Sequence, residues 1–493
     1  MRIKTFLVFC TLLVAALFSG CKTNLLGGDA PEAPAPQAPA APVVVEGMRT
    51  SYADVVERTS PAVVRIEAQV KGKPQSKTVF PGGDDFFRQF QTPQQPNRRP
   101  QLERGVGSGV IVSADGSILT NHHVVDGAEK ITVMTSDNKT FDAKIVGSDQ
   151  PSDLAVLKIE AANLPFLTLG NSDTVRVGDI VLAIGNPLGI GQSVTSGIIS
   201  AKGRRTGLSD GSFEDFLQTD APINRGNSGG ALVSLNGELI GINSQILSGG
   251  VGGGNIGIAF SIPSNMAKSV MEQLLKDGKV RRGMLGVNIQ NVTDELAKSL
   301  ELEQRSGVIV SNVRNGSAAD KGGVKRNDLI LAINGEKIED SNVLRNKVAG
   351  TAPGTTIKLT VLRDGKEVPL DVTLDEFDTE NARGPRPTGD EDAPGPQNQS
   401  GKLGLSLEPV TPQIAKQLSL DSDKEGMVVT EVDPDGPAAE EGVARGDCIL
   451  EINKKQVNSI ADVQAALAAS GERPVLLLIS RRGQTIYLTV KPQ

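Results

Sequence analysis

At 493 residues the chain is too long for a single hydrophobic core, so several domains are expected. Its formal net charge of -7, with no basic stripe to offset it, argues against nucleic acid as a partner. The 55 glycines and 28 prolines imply frequent turns and favour β-rich structure over helical bundles.

The N-terminus reads as a targeting segment. Arg2 and Lys4 precede an apolar run from Phe6 to Phe18. That run is shorter than the roughly 20 residues a membrane-spanning helix needs, which fits a signal peptide over residues 1–21. It ends in Phe18-Ser19-Gly20-Cys21, which resembles a bacterial lipobox with Cys21 as the lipidated first residue of the mature chain. The expected location is therefore the periplasm or cell envelope, with the membrane touched only through a lipid at Cys21. Of the three cysteines, Cys10 leaves with the signal and Cys21 carries lipid. Only Cys448 remains, so no intramolecular disulfide is expected and packing must hold the fold. The adjacent His122 and His123 are poor metal-ligand spacing, and neither a metal nor any other cofactor is expected.

Residues 22–47 are dominated by Ala and Pro and predict an extended spacer. From 48 to 280 short β-type runs alternate with turn signals. They include 62–66, 109–112, 130–134, 154–159 and 179–184, punctuated at Asp115-Gly116, Asp210-Gly211 and Asn236-Gly237. Such spacing predicts an all-β barrel or sandwich. Within this stretch, residues 71–104 are rich in Pro, Gln and Arg yet carry Phe80, Phe86, Phe87 and Phe90. They predict a long loop whose phenylalanines either contact a partner or pack back on their own domain. A helix is predicted over 264–276 from Met266, Val270, Leu274 and Leu275.

The C-terminal part repeats itself at an offset of 119. Ala319, Gly323, Val324, Asp328, Ile330, Leu331, Ile333 and Asn334 align with Ala438, Gly442, Val443, Asp447, Ile449, Leu450, Ile452 and Asn453. Two copies of one small α/β domain are expected, at 283–376 and 401–492, joined by an acidic Pro/Gly-rich linker over 377–400.

The chemistry concentrates at Gly226-Asn227-Ser228-Gly229-Gly230. A serine hydroxyl becomes a nucleophile only beside a neutral imidazole that a carboxylate orients. The chain has only two histidines, so the base must be His122 or His123, and Asp149 or Asp153 would supply the carboxylate. The chain order His, Asp, Ser is that of chymotrypsin-like proteases. Glycines around Ser228 would let a substrate carbonyl approach the backbone N–H groups of Gly226, Asn227 and Ser228, which form the expected oxyanion hole. An imidazole base works only when neutral, and free histidine titrates near 6.5, so activity should fall in mildly acidic buffer.

Taken together, the runs Thr120-Asn121-His122-His123-Val124-Val125, Ser152-Asp153-Leu154-Ala155, Asp220-Ala221-Pro222-Ile223-Asn224-Arg225-Gly226-Asn227-Ser228 and Gly185-Asn186-Pro187-Leu188-Gly189 resemble the HtrA (Do-like) family of serine endopeptidases. The resemblance implies a mainly-β chain, with a chymotrypsin-like double β-barrel followed by two PDZ domains. It selects His123 as base and Asp153 as its orienting carboxylate, leaving Asp149 in the solvated turn before the strand. It places Ile223 and Ile246 in a pocket for small aliphatic side chains. It makes Met284-Leu285-Gly286-Val287 and Lys402-Leu403-Gly404-Leu405 loops that bind a peptide's terminal carboxylate. It also implies a homotrimer or higher homo-oligomer, with residues 71–104 contacting neighbouring subunits. The expected activity is ATP-independent cleavage of unfolded or damaged cell-envelope proteins, with holdase activity as a companion role. The alternative is a binding protein in which the barrel is only a scaffold for the PDZ pair.

Overall fold

The computed structural model describes residues 51–70, 103–187, 191–206, 213–224, 226–248, 254–300, 302, 306–377, 403–417, 426–471, 473–481 and 484–492. The signal segment, the Ala/Pro spacer, Cys21, the four phenylalanines of 71–104 and the Asp210-Gly211 turn lie outside them.

Two closed six-stranded barrels follow one another. The first comprises β1 (Val63–Val70), β2 (Glu103–Ile111), β3 (Ser117–Thr120), β4 (Ala128–Met134), β5 (Thr140–Asp149) and β6 (Leu154–Ile159), in the order β1-β2-β3-β6-β5-β4. The second comprises β7 (Ile180–Gly185), β8 (Ser193–Arg204), β9 (Phe216–Thr219), β10 (Ala231–Ser234), β11 (Leu239–Ser248) and β12 (Asn255–Pro263), in the order β10-β11-β12-β9-β8-β7. All five β-type runs read from the sequence fall on these strands. The sandwich alternative is set aside, because closure leaves no edge strand to protect. Leu154, Ala155, Val156 and Leu157 are all fully buried, since inward residues fill the barrel while outward ones meet the turns and helix that pack on it.

The predicted helix spans Ser264–Asp277 and ends at Gly278, whose φ of +70° lets its N–H cap the Leu274 carbonyl. Its buried face is Ala267, Val270 and Leu274. Leu275 is 47% exposed, because it lies about 100° round the helix from Leu274. Gly147 on β5 makes the seat for this helix, since a Cβ there would come within 2.9 Å of Leu274 Cδ2.

The two repeats form matching sheets. The first has β13 (Gly283–Met284) paired with β20 (Asp375–Glu376), and a sheet ordered β14 (Val287–Asn291), β15 (Val308–Val313), β16 (Leu329–Ile333), β18 (Thr356–Arg363), β19 (Lys366–Thr373), with β17 (Glu336–Lys337) hung on β16. The second is ordered β21 (Leu405–Pro409), β22 (Met427–Val432), β23 (Cys448–Ile452), β25 (Val475–Arg481), β26 (Gln484–Val490), with β24 (Lys455–Gln456) hung on β23. The repeated aspartate explains itself here. Arg363 grips the buried Asp328 through two nitrogens at 2.7 Å, and Arg481 does the same to Asp447 at 2.7 and 2.6 Å.

The repeats also pack on each other. Leu296, Leu300, Ile309 and Leu329 of the first share a buried cluster with Cys448, Leu450, Leu476, Leu478 and Tyr487 of the second. The Gln290 amide donates to the Tyr487 carbonyl and accepts from its N–H, so one side chain satisfies the backbone of the edge strand β26 where the domains meet. Phe377, at the edge of the predicted linker, is held in place: its N–H donates to Arg282 O at 2.8 Å, and its ring meets Phe213 edge-on.

Candidate active site

His123 stands in a single helical turn, His122–Val125, directly after β3. Asp153 follows the 3-10 turn Gln150–Ser152 in the left-handed conformation, φ +53°, and leads into β6. That unusual backbone lets one residue act at both ends. Its carbonyl accepts from His122 N–H and Asn121 Nδ2, and its carboxylate accepts from His123 N–H at 3.1 Å. His123 Nδ1 lies 2.9 Å from both carboxylate oxygens. Burial works to raise the Asp153 carboxyl, but the charge and hydrogen bonds of His123, with a further bond from Ser244, outweigh it. The group stays below the usual carboxylate range.

The neighbouring ring goes elsewhere. His122 Nδ1 pairs with Ser148 Oγ at 2.6 Å on β5, and its Nε2 lies 3.8 Å from Asp126. Asp149 departs from its expected place in a solvated turn. It is buried, caps the 3-10 turn through Ser152, and holds the Arg282 guanidinium at 2.8 and 2.5 Å. Arg282 also lies over the Phe213 ring, 4.7 Å from its centroid. The reason is tertiary: the chain returning from the helix brings a cation to a carboxylate that would otherwise be buried alone.

Ser228 is buried in the turn between β9 and β10. Its carbonyl accepts from Ser108 N–H at 2.8 Å, and Ser108 Oγ donates to Gly226 O at 2.6 Å, so β2 of the first barrel shapes the turn of the second. Gly229 has φ +82°, and a Cβ there would lie 2.1 Å from Ser108 O; at Gly230 it would lie 2.3 Å from Ile184 O. No side chain fits either position. The Ser228 hydroxyl donates to Ser244 O at 3.2 Å, and the Ser244 hydroxyl donates to Asp153 Oδ2 at 2.8 Å. Ser244 thus links Ser228 of the second barrel to the Asp153–His123 pair of the first. Asn227 contributes no N–H to that space, because it donates to Asn224 O at 3.0 Å. Among the described residues no backbone hydrogen bond takes up the N–H of Gly226 or Ser228.

Ile223 and Ile246 lie in one apolar cluster of the second barrel, 1% and 6% exposed, beside Ala221, Leu217 and Ala259. Met284 to Val287 bridge β13 and β14, and Leu403 to Leu405 enter β21.

Residues 107–242 match the trypsin-like peptidase domain, and 283–374 and 428–481 each match a PDZ domain. A probable periplasmic serine endoprotease, DegP-like, from Chlamydia trachomatis is 41% identical over 455 residues, spanning 89% of this chain and 88% of the relative. The chain belongs to the HtrA family of serine endoproteases. Another HtrA relative, the periplasmic pH-dependent serine endoprotease DegQ of Escherichia coli, is 40% identical over 447 residues, 90% and 91% of the two chains. The HtrA-type protease AlgW, solved with a tripeptide, is 44% identical with a TM-score of 0.54, covering 66% of this chain and 98% of that one.

Sequence reading of this HtrA chain overlooked Ser108, Ser244 and Arg282. Asn243, Ser244 and Gln245 form a polar run inside the otherwise apolar strand β11, and all three are buried. A polar run where a barrel interior is expected was the available signal. Arg282 gave none, because an arginine between two domains reads as a solvated linker residue.

Proposed function

We propose that Ser228 is the nucleophile, His123 the general base and Asp153 its orienting carboxylate in a peptidase of the cell envelope that degrades unfolded proteins without ATP. The observation that carries this reading is that Ser244 bonds Asp153, the partner of His123, through its hydroxyl and Ser228 through its carbonyl, which brings the three groups to one place. For attack, the Ser228 hydroxyl turns from the Ser244 carbonyl toward His123 Nε2. His123 takes the proton as Oγ bonds to the substrate carbonyl carbon, and Asp153 stabilises the resulting imidazolium. The N–H groups of Gly226 and Ser228 receive the oxyanion, the expected share of Asn227 being taken by Asn224. His123 then protonates the departing amine. A water, deprotonated by His123, then bonds to the acyl carbon, and the Ser228 ester bond breaks as His123 returns the proton to Oγ.

Ile223 and Ile246 would floor the pocket for the residue before the cut bond. Their branched side chains would favour small aliphatic groups such as Val or Ala there. The PDZ grooves would hold extended segments of substrate along the edges of β14 and β21. The relatives' names support a periplasmic site, and Cys21 would carry the lipid anchor. Assembly as a homotrimer or larger homo-oligomer is part of the same reading.

The test is degradation of casein by the purified protein and by Ser228→Ala. The parent should degrade casein and the variant should not; a variant as active as the parent overturns the assignment. Retained suppression of aggregation by Ser228→Ala would separate holdase activity from cleavage.

A further inference from the structure

The two carboxylate loops share one backbone frame. Gly286, at φ +77°, accepts at its carbonyl from Arg314 N–H at 2.9 Å, and Leu285 O accepts from Ala319 N–H at 2.9 Å. In the second repeat Gly404, at φ +71°, accepts from Asp433 N–H at 2.9 Å, and Leu403 O accepts from Ala438 N–H at 3.2 Å. These matching bonds make Arg314 and Asp433 equivalent positions. Both glycines are required, because a Cβ would lie 2.4 Å from Ser317 Cβ in the first loop and 3.1 Å from Gly436 Cα in the second. Among the described residues no backbone hydrogen bond takes up the N–H groups of Leu285, Gly286, Leu403 or Gly404. Each loop therefore offers donors to a ligand oxygen.

Among the described residues, the equivalent positions beside the two loops carry opposite charges. Arg314 Nη2 lies 3.6 Å from the point a Gly286 Cβ would occupy and 3.7 Å from Met284 Sδ, so a guanidinium lies over the first loop. Asp433 Cβ lies 3.2 Å from the equivalent point at Gly404, and its carboxylate accepts from Asp435 N–H at 3.1 Å. Asp435 adds a second negative charge. Arg314, Asp433 and Asp435 are all exposed and available to a ligand.

We infer that the repeats take different ligands: the first PDZ domain captures free C-termini, while the second rejects a terminal carboxylate and takes an internal extended segment bearing Lys or Arg. The inference rests on the proposal that both grooves hold peptides. A terminal carboxylate placed on Leu403 and Gly404 meets Asp433 at close range, and juxtaposed like charges exclude partners. The same N–H donors accept a neutral backbone carbonyl from an internal segment without that repulsion. Leu405, Leu407, Val463 and Leu467 belong to the apolar cluster beneath, which supplies binding without regard to charge.

The test uses the full chain carrying Ser228→Ala and a photo-crosslinking apolar decapeptide in two forms, one ending in a free carboxylate and one amidated with a terminal lysine. Crosslinks are mapped by mass spectrometry and affinities measured by fluorescence polarisation. The free acid should crosslink near β14 and weaken at least about fivefold in Arg314→Asp. The lysine amide should crosslink near β21 and weaken similarly in Asp433→Arg, which should also gain crosslinking of the free acid at β21. Asp433→Asn should fall between parent and Asp433→Arg, which guards against a folding defect in the charge reversal. Lys402, the first residue of the second loop, lies outside the described residues and is kept throughout so that the swaps isolate position 433. Equal labelling of both domains by the free acid overturns the inference while keeping peptide capture. Labelling of neither domain by either peptide overturns peptide capture itself.

Discussion

The Ser244 hydroxyl donates to Asp153 Oδ2 at 2.8 Å across the seam between the barrels, while its own carbonyl accepts from Ser228. One residue of β11 therefore touches both the proposed orienting carboxylate and the proposed nucleophile. Ser244→Ala removes the bond to a charged group and keeps the carbonyl. We expect kcat/KM to fall about tenfold, equivalent to about 1.4 kcal/mol, with the fold intact. Steady-state cleavage of a chromogenic peptide measures it. An unchanged rate would show that His123 alone suffices to hold Asp153.

The Asp149–Arg282 pair is 7% exposed on both sides and ties β5 to the first PDZ domain. Arg282→Ala leaves a buried carboxylate uncompensated, which typically costs about 3–5 kcal/mol. We expect a lower Tm and faster proteolysis near residue 282. Because Asp149 also caps the turn that positions Asp153, activity should drop at temperatures where the fold survives. Cleavage near 282 at the parent's rate argues against a clamp.

Asp215 is pushed up to about 6, first by burial and then by the like charges of Asp173 and Asp340, against the opposing Lys202. Lys202 itself donates to the Asp173 and Val175 carbonyls. A carboxyl with a folded pKa above its unfolded value stabilises the fold at low pH, and that stability is lost as pH rises through about 6. Asp215→Asn should therefore be more stable than the parent at pH 8, by on the order of 1–2 kcal/mol. The gap should close toward pH 4. Thermal melts across this range decide the matter, and a gap independent of pH would exclude Asp215 as the titrating group.

Tyr487 is 2% exposed in the seam between the PDZ domains, and its hydroxyl donates to Asn327 Oδ1 at 2.6 Å. Burial, with the Glu451 charge adding to it, raises this phenol well above its ordinary value. Tyr487→Phe should cost about 1 kcal/mol, the net worth of one hydrogen bond. Tyr487→Ala should cost about 3–5 kcal/mol and let the two domains separate. Small-angle scattering should then show a larger radius of gyration; unchanged dimensions would mean the remaining leucines suffice.

Much was legible without coordinates. The short runs rich in branched apolar residues, set off by turn signals, gave β1, β2, β4, β6 and β7, because residue type and run length mark a buried strand locally. The 119-residue repeat announced two like domains, because the same aspartate, glycine and isoleucine positions serve the same local bonds in each. The scarcity of histidine narrowed the base to two adjacent rings, and Gly226 to Gly230 marked the turn.

Local pattern could not separate His122 from His123, since both sit in one helical turn. The difference is which ring faces Asp153 and which faces Ser148, residues about thirty positions away. Nor could it place Asp149, whose partner Arg282 lies 133 residues on, or find Ser244, whose value comes from two residues in different barrels. The sequence by itself determined the strands, the repeat, the glycine turn and the set of groups able to do chemistry, because these depend on short-range periodicity and residue type. Only the tertiary structure showed the contacts themselves: His123 on Asp153, His122 on Ser148, Asp149 clamped by Arg282, and Arg314 and Asp433 at equivalent places beside the two PDZ loops. Those facts depend on contacts that close across the chain.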